Sequence, residues 1–170
     1  MTDVHVREAL PGDLPAVAAV HLDAAVTGYA GIFPEAAPVP TIEELGAAWA
    51  RELTQRAATT LVAEEAGAVV GTVTVRPDPD FPGEGQLRRL HVAPRRWGTG
   101  VGGRLHDEAM QLLEARGFRL AGLWVLEDNL RGRRFYESRG WVLVPGVTPD
   151  GPGPAAEVRY RRSCTAARDP

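Results

Sequence analysis

The sequence contains no lysine, so all nineteen of its basic residues are arginines. Its single cysteine, Cys164, cannot form an intramolecular disulfide and argues against a cysteine-based metal site. No apolar run approaches the ~18 residues that a membrane span needs, and residues 1–10 lack the apolar core of a signal peptide. These absences favour a soluble, cytoplasmic protein with neither a metal site nor a membrane partner.

A strong excess of charge of either sign is also absent. The formal net charge is −3 at pH 7, which gives no basic footprint for a nucleic-acid partner. A chain of 170 residues is large enough to form one domain with its own core. We expect a single domain over residues 1–162, followed by a flexible C-terminal tail at 163–170.

Hydrophobic periodicity predicts the element order β-α-α-β-β-β-α-β-α-β-β. Thr41 with Glu44 three residues later is typical of a helix start, and two arms rich in Val and Thr predict a hairpin. Three consecutive strands in the middle argue against a purely alternating, doubly wound sheet. The sequence therefore predicts a mixed α/β or α+β fold with one central βαβ crossover. The predicted strands cover residues 4–7, 60–63, 68–75, 86–92, 119–126, 141–144 and 157–161, and the predicted helices cover 14–22, 41–56, 100–116 and 130–138.

A glycine-rich loop follows the predicted strand 86–92 and opens the next helix. Glycines let the backbone turn tightly and bring its N–H groups against a ligand. The helix start adds unpaired N–H donors and a partial positive charge, which favour a phosphate. Arg95 and Arg96 raise the local positive potential further. The loop is therefore predicted to bind a phosphate group through its glycines, Gly98, Gly100, Gly102 and Gly103.

The glycine-rich loop has three other possible identities, and the sequence fits them to different degrees. A P-loop is excluded because no Gly-Lys-Ser/Thr follows. A dinucleotide fingerprint matches literally at Gly98, Gly100 and Gly103, with Glu127 near the end of the next strand. That fingerprint normally adjoins its strand, however, whereas five residues separate Val92 from Gly98, and the flanking βαβα pattern is missing. A glycine-rich turn that binds no ligand is the third interpretation.

Two motifs resemble those of the GNAT superfamily of acyltransferases. Val92-x-Pro94 and the loop to Gly102 are similar to its pyrophosphate-binding motif, with Trp97 where Gln or Arg is usual. The segment Asn129-Leu-Arg-Gly-Arg-Arg-Phe-Tyr136 and the following Gly-Trp resemble its second motif, with Gly for the common Ala and Trp for the common Phe. Together the two motifs cover about a third of the chain.

The resemblance implies a mixed sheet of six to seven strands with about four helices, splayed between the two central strands. It also implies an N-acetyltransferase that moves an acetyl group from acetyl-CoA to a primary amine of a small molecule or peptide, and that forms a homodimer. The pantetheine of acetyl-CoA would add to the sheet edge and the pyrophosphate would contact the loop. The implied acetyl-CoA contacts are Leu90, His91, Val92, Trp97, Gly98, Thr99, Gly100, Val101, Gly102 and Asn129.

Tyr136 is the candidate catalytic residue. Attack of an amine on a thioester expels a thiolate, which needs a proton, and a tyrosine with a pKa near ~10 can donate one at neutral pH. Asn129 could also cap the helix that carries Tyr136. The alternative role for Tyr136 is that of a packed residue whose hydroxyl is simply hydrogen-bonded.

The base that deprotonates the amine is left open by the sequence. Some family members have a carboxylate five residues before Asn129, where this chain has Trp124. The remaining candidates are Glu84, Glu127, His91 and a chain of water molecules. Trp124 and Trp97 also keep open a rival function, that of a non-catalytic acyl-CoA-binding regulatory module.

Acceptor specificity is expected to come from the variable loops at 29–34, 76–85 and 145–154. Asp78, Asp80 and Glu84 make the second of these loops acidic, which favours a cationic small amine. The alternative is a solvated acidic loop with no ligand.

Overall fold

A computed structural model describes residues 3–149, 153 and 155–165 of the chain. The strands and helices of this part follow the predicted order. The strands are β1 (Val4–Glu8), β2 (Thr59–Glu65), β3 (Ala68–Pro77), β4 (Gly85–Val92), β5 (Leu120–Leu126), β6 (Val142–Val144) and β7 (Glu157–Ser163). The α-helices are α1 (Leu14–Gly28), α2 (Ile42–Leu53), α3 (Val101–Ala115) and α4 (Leu130–Glu137).

The strands form one seven-stranded sheet in the order β1-β2-β3-β4-β5-β7-β6. Neighbouring strands are antiparallel except β4 and β5, which are parallel. A parallel pair needs a crossover connection, and α3 supplies it. The predicted mixed fold with one central βαβ crossover is confirmed.

Turn and cap chemistry explains several element boundaries. Ala66 and Gly67 join β2 to β3 with φ of 50° and 79°, as a two-residue hairpin turn of type I′ requires. Thr41 and Glu44 form the predicted capping box at the start of α2. These local signals place the hairpin and α2 where the sequence predicted them.

Helices cover both faces of the sheet. Adjacent residues of a strand point to opposite faces, and Leu61 and Val62 of β2 accordingly belong to two separate cores. On one face α3 buries apolar side chains, including those of Leu105 and Leu113. On the other face α1 and α2 pack around Trp49, whose side chain is fully buried.

The two central strands separate soon after they pair. β4 and β5 are bonded only at Gly85–Ala121 and Gln86–Gly122. Beyond Gln86, the side of β4 that faces β5 has no partner strand among the described residues. The splayed sheet implied by the resemblance is therefore present, and it opens a cleft through the middle of the fold.

Some boundaries differ from the prediction. Helix α2 ends at Leu53 rather than near residue 56, and α1 continues to Gly28. Strand β7 continues through Ser163, and Cys164 is buried, so the predicted tail starts too early. Residues 166–170 of that tail and part of the predicted 145–154 loop lie outside the described residues. No helix within the described ranges is long and apolar enough to cross a membrane.

Candidate active site

A cavity of about 830 Å³ occupies the opening between β4 and β5. Both strands line it, together with the glycine-rich loop, the start of α3 and one side of α4. A cavity of this size falls within the range of ligand pockets in proteins. Eight of the ten predicted acetyl-CoA contacts lie in its wall: Leu90, His91, Val92, Trp97, Gly98, Gly100, Gly102 and Asn129. Tyr136 also lines it, whereas Thr99 and Val101 do not.

Strand β4 contains a bulge beside the opening. Thr72 of β3 pairs with His91 and Thr74 pairs with Arg88, so one residue of β3 faces two residues of β4. Arg89 takes up the extra length with φ of 54°, in the left-handed region that non-glycine residues rarely adopt. A bulge bends its strand and re-aims the neighbouring groups. It therefore sets the direction of the backbone at Leu90–Val92 relative to the cavity.

The glycine-rich loop has the geometry of an anion cradle. Gly98 and Gly100 have φ of 74° and 91°, which L side chains adopt only with strain. The first bond of α3 is donated by Arg104 to the Gly100 carbonyl. Among the described residues, no acceptor is bonded to the backbone N–H groups at the helix start and the loop, which are those of Gly98, Gly100, Val101, Gly102 and Gly103. A helix start of this kind binds phosphate.

Trp97 ties the loop to the end of β4. Its indole Nε1 donates a hydrogen bond of 2.7 Å to the Val92 carbonyl. The Arg131 guanidinium lies 3.3 Å from the ring centroid on the indole face, a cation–π contact. Arg96, one of the two arginines expected to raise the local positive potential, forms an ion pair with Glu65 but still lines the cavity. The tryptophan therefore has a structural role in the loop, and two arginines remain beside it.

Asn129 caps α4 and faces the cavity as well. Its Oδ1 accepts a hydrogen bond of 3.0 Å from the Gly132 backbone N–H, so the predicted N-cap is confirmed. A Cβ added at Gly132 would lie 2.6 Å from the Asn129 amide nitrogen. This close approach explains why glycine fits here in place of the alanine that the resemblance led us to expect.

Tyr136 points its ring into the wall of the cavity. The ring makes edge contacts with Phe135 at 5.2 Å and Trp141 at 6.0 Å between centroids. No residue in the described part of the chain is hydrogen-bonded to its hydroxyl, although the structure pairs the hydroxyl of Tyr160 with Glu137 and Arg133. Burial raises the pKa of Tyr136 above its ordinary value. The phenol is therefore protonated at neutral pH and free to donate.

His91 forms a stacked pair with His21 of α1. The two rings lie 3.9 Å apart at 17°, and the Trp49 indole donates a hydrogen bond of 3.1 Å to His21 Nδ1. Burial lowers the pKa of His91 well below 6.5 and that of His21 to about 4. Both imidazoles are therefore neutral at pH 7. Sequence reasoning missed His21, because 70 residues separate the two histidines.

The acidic candidates behave differently from the prediction. Glu84 is buried in ion pairs with Arg159 and Arg161, and Glu127 is exposed and does not line the cavity. Asp78 is buried against Arg159 at 2.8 Å. Of the three acids in the 76–85 loop, only Asp80 lines the cavity. The expectation that this loop attracts a cationic amine stays a prediction, and it now depends on Asp80, since arginines of β7 neutralise the other two carboxylates.

Three arginines of β3 and β4 line the same cavity and were not predicted as site residues. They are Arg76 at the end of β3 and Arg88 and Arg89 in β4. Two adjacent arginines inside a central strand are the signal that could have revealed them. No group of three or more His, Cys, Asp or Glu side chains that could hold a metal ion occurs within residues 3–149, 153 and 155–165.

Known proteins show the same architecture. The “Probable N-acetyltransferase” of Mycobacterium tuberculosis is 28% identical over 148 residues, which are 84% of this chain and 82% of that protein. The PaiA N-acetyltransferase of Thermoplasma acidophilum, solved with coenzyme A, superposes with a TM-score of 0.73 at 19% identity, over 95% of this chain and 99% of that one. The ribosomal-protein-S18-alanine N-acetyltransferase of Escherichia coli gives 0.72 at 18% identity, over 97% and 96%.

The sequence profile described as “Acetyltransferase (GNAT) family” matches residues 18–141, which is well over half of the chain. That match contains the glycine-rich loop, Asn129, Tyr136 and the splayed strands. The structural neighbours are too distant in sequence to show more than the fold, and the fold agrees with the profile. The chain therefore belongs to the GNAT family of acetyltransferases.

Proposed function

We propose that this chain moves the acetyl group of acetyl-CoA to a primary amine of a small molecule or peptide, by direct attack of the amine on the thioester. One observation carries the proposal. A single cavity joins the unpaired N–H groups of the glycine-rich loop to the unpaired hydroxyl of Tyr136. The first feature suits the pyrophosphate of the donor, and the second suits the thiolate that leaves from its other end.

The residues present fit acetyl-CoA as a substrate. The loop and the start of α3 offer five N–H donors with no protein acceptor among the described residues, which is what a pyrophosphate needs. Arg96 and Arg131 line the cavity beside the loop and add positive charge. The free side of β4 at residues 90–92 offers backbone groups to an extended chain such as pantetheine. Asn129 is proposed as a further contact.

The proposed reaction needs two proton movements. The neutral amine attacks the thioester carbon, a C–N bond forms and the C–S bond breaks. The backbone N–H groups beside the Arg89 bulge stabilise the oxyanion that develops. The Tyr136 hydroxyl donates its proton to the departing thiolate, and the proton lost by the amine leaves in the opposite direction.

The proton acceptor for the amine is assigned to water in the open cavity. Of the three side chains suggested by the sequence, only His91 lines the cavity. Its lowered pKa keeps it neutral but makes it a weak base. His91 and His21 are therefore proposed to orient that water rather than to hold the proton.

The proposal also covers the location, assembly and partners of the enzyme. We infer a cytoplasmic enzyme that pairs as a homodimer and uses no nucleic-acid or membrane partner. The cavity wall includes residues from each predicted acceptor loop, namely Tyr29, Arg76 with Asp80, and Pro149. An open mouth built from loops suits either a small amine or the end of a peptide.

The test is release of free CoA when purified protein is mixed with acetyl-CoA and a library of amines. We expect amine-dependent thiol release and an acetylated product identified by mass spectrometry. Calorimetry with acetyl-CoA and no amine provides the control for binding alone. Tight binding of acetyl-CoA with no turnover for any amine would favour the non-catalytic binding module instead.

A further inference from the structure

Arg76, Arg88 and Arg89 form a basic cluster on the cavity wall, next to the point where β4 and β5 separate. Side chains of consecutive residues in a regular strand point to opposite faces of the sheet. Here Arg88 Nη1 and Arg89 Nε lie 3.7 Å and 3.4 Å from the same carboxylate oxygen, Oε2 of Glu52. The bulge at Arg89, with φ of 54°, therefore brings two neighbouring guanidinium groups to one face.

The cluster carries more positive charge than its surroundings neutralise. Glu52, buried on α2, is its one carboxylate partner among the described residues, and Arg76 donates only to the neutral Gln86, at 2.7 Å. Nη1 of Arg89 is buried without a hydrogen-bond acceptor in the same part of the chain, and its Nε makes only the 3.4 Å ion contact with Glu52. Oε1 of Glu52 is also buried without a donor there. Buried N–H groups of a charged side chain normally have partners. Three positive charges set against one carboxylate therefore indicate a place for an anion that comes from outside the chain.

Other contacts hold the cluster in place. The Arg89 guanidinium packs over the Trp49 ring at 4.8 Å from its centroid, and the Arg88 and Arg89 side chains are only 27% and 21% exposed. Burial, followed by the nearby positive charges, lowers the pKa of both arginines, and Glu52 opposes this effect. An added negative charge would relieve the repulsion among the three. Asp80 and Glu157 line the same cavity but form no ion pair with these arginines in the described residues.

The position of the cluster indicates that its ligand is part of the acceptor rather than of acetyl-CoA. Arg89 precedes His91 by two residues, a span of about 7 Å along a strand, and residues 90–92 are the proposed acetyl-CoA edge. The glycine-rich loop lies beyond Val92, on the other side of that edge, and offers its own donors for phosphate. An anionic group at the cluster would therefore belong to the acceptor, which approaches the thioester. The distance from the cluster to the proposed thioester position is within the length of a small amine.

We propose that Arg76, Arg88 and Arg89 bind a carboxylate of the acceptor, so that the preferred substrate is a small amine that also bears a carboxylate, such as an amino acid. The inference rests on the proposed acetyl transfer and names the substrate class for that site. It replaces the cationic amine suggested by the acidic loop, two of whose carboxylates are neutralised by Arg159 and Arg161.

The experiment compares the common amino acids, each as the free acid and as its amide, in the thiol-release assay. Removing the carboxylate charge should lower kcat/KM by about 10- to 100-fold, the range for losing hydrogen bonds to a charged group. The amine pKa works against this expectation, because an α-amino group beside an amide bond titrates near ~7.7–8.0 and is more often neutral at pH 7. A lower kcat/KM for the amide would therefore come from the missing carboxylate and not from a less reactive amine. Amides that react as well as the acids would overturn the inference and leave acetyl transfer intact.

Variants then assign the effect to the cluster. Arg76→Gln and Arg88→Gln should each reduce the preference for acid over amide by about tenfold, mainly through KM, and Arg88→Lys should retain part of it. Arg56→Gln is the matched control, since Arg56 is exposed after the end of α2 and lies outside the cavity, and the acid-over-amide preference of this variant should equal that of the wild type. Variants that slow acid and amide equally would contradict a carboxylate contact.

A binding measurement separates the proposed anion site from the proposed acetyl transfer. Calorimetric titration of amino acids into the protein saturated with CoA involves no reaction. Binding of the acid but not the amide, with no turnover in the first assay, would preserve the anion site and reject the proposed function. Equal binding of acid and amide, or no binding of either, would reject the anion site. Thermal unfolding of each variant shows whether it is folded, and Arg76→Gln is the safer variant because its side chain pairs only with Gln86 among the described residues.

Discussion

Replacing Tyr136 with Phe removes one hydroxyl from the cavity and keeps the ring that packs on Phe135 and Trp141. The described residues form no hydrogen bond to that hydroxyl, so the free energy of unfolding should change by less than about 0.5 kcal/mol. Affinity for acetyl-CoA should also change little. Any large loss of rate would then report chemistry rather than folding.

The expected loss of rate follows from the leaving group. Loss of one general acid typically slows a reaction by about 10²–10⁴-fold. A thiol titrates near pH ~8.5 and leaves fairly well without a proton, so we expect the lower half, about 10²–10³-fold. That factor corresponds to about 2.7–4 kcal/mol of transition-state stabilisation. The deficit should narrow with acyl donors whose thiols are more acidic.

The pH dependence of the reaction rate is a second test of the role of Tyr136. Burial raises the pKa of Tyr136 above its ordinary value, so the proton-donating form persists through the alkaline range of the assay. The wild-type rate should therefore rise with pH as more amine becomes neutral, with no fall caused by Tyr136 below about pH 10. The Phe variant should show the same rise at a lower level.

Tyr160→Phe is the matched control for this change. The Tyr160 hydroxyl accepts a bond of 3.0 Å from Arg133 and donates to Glu137, and Tyr160 does not line the cavity. This variant should lose about 1–2 kcal/mol of unfolding free energy in urea and keep turnover within about twofold of the wild type. Wild-type turnover in Tyr136→Phe would refute the reasoning and make Tyr136 a structural residue.

Three further predictions concern the loop, the histidines and the assembly. Gly100→Ala forces an L side chain to φ of 91°, so it should cost about 1–2 kcal/mol of stability and weaken acetyl-CoA binding. Gly46→Ala is the control, because Gly46 lies in α2 outside the cavity and nothing is within 4 Å of the added Cβ; it should neither destabilise the protein in urea nor weaken acetyl-CoA binding in calorimetry. The lowered pKa values of His21 (about 4), His91 and His106 mean that only the unfolded chain takes up these protons as pH falls below about 6.5. Unfolding free energy should therefore fall from there toward pH 4, by at most about 1.4 kcal/mol per pH unit per histidine, and urea midpoints that stay constant from pH 6.5 to 5 would contradict this. Light scattering should give the mass of a dimer, and the mass of a single chain at every concentration would reject the homodimer.

Local signals were enough to predict most of the fold. The capping box at Thr41, the Val- and Thr-rich hairpin arms and the glycines after Val92 depend on neighbouring residues, so the sequence displays them directly. The single crossover followed from the order of elements. The resemblance then located the loop, Asn129 and Tyr136 on one cavity, because its two motifs flank α3 and β5.

Pairings between distant parts of the chain were beyond local reasoning. Asp78 and Glu84 look like free acids in the sequence, but Arg159, 81 residues from Asp78, neutralises them in the fold. The bulge at Arg89 depends on the register between β3 and β4, which no local pattern specifies. These tertiary contacts are the basis for proposing a carboxylate-bearing amine, rather than a cationic one, as the acceptor.

The most direct test of the central claim follows the acetyl group itself. Isotopically labelled acetyl-CoA is incubated with the protein and the fastest amine of the library, and the products are analysed by mass spectrometry. We expect the label to appear in an amide bond on the amine nitrogen, with one CoA released for each label transferred. Label recovered only as unreacted acetyl-CoA or as acetate, while the donor still binds, would contradict it.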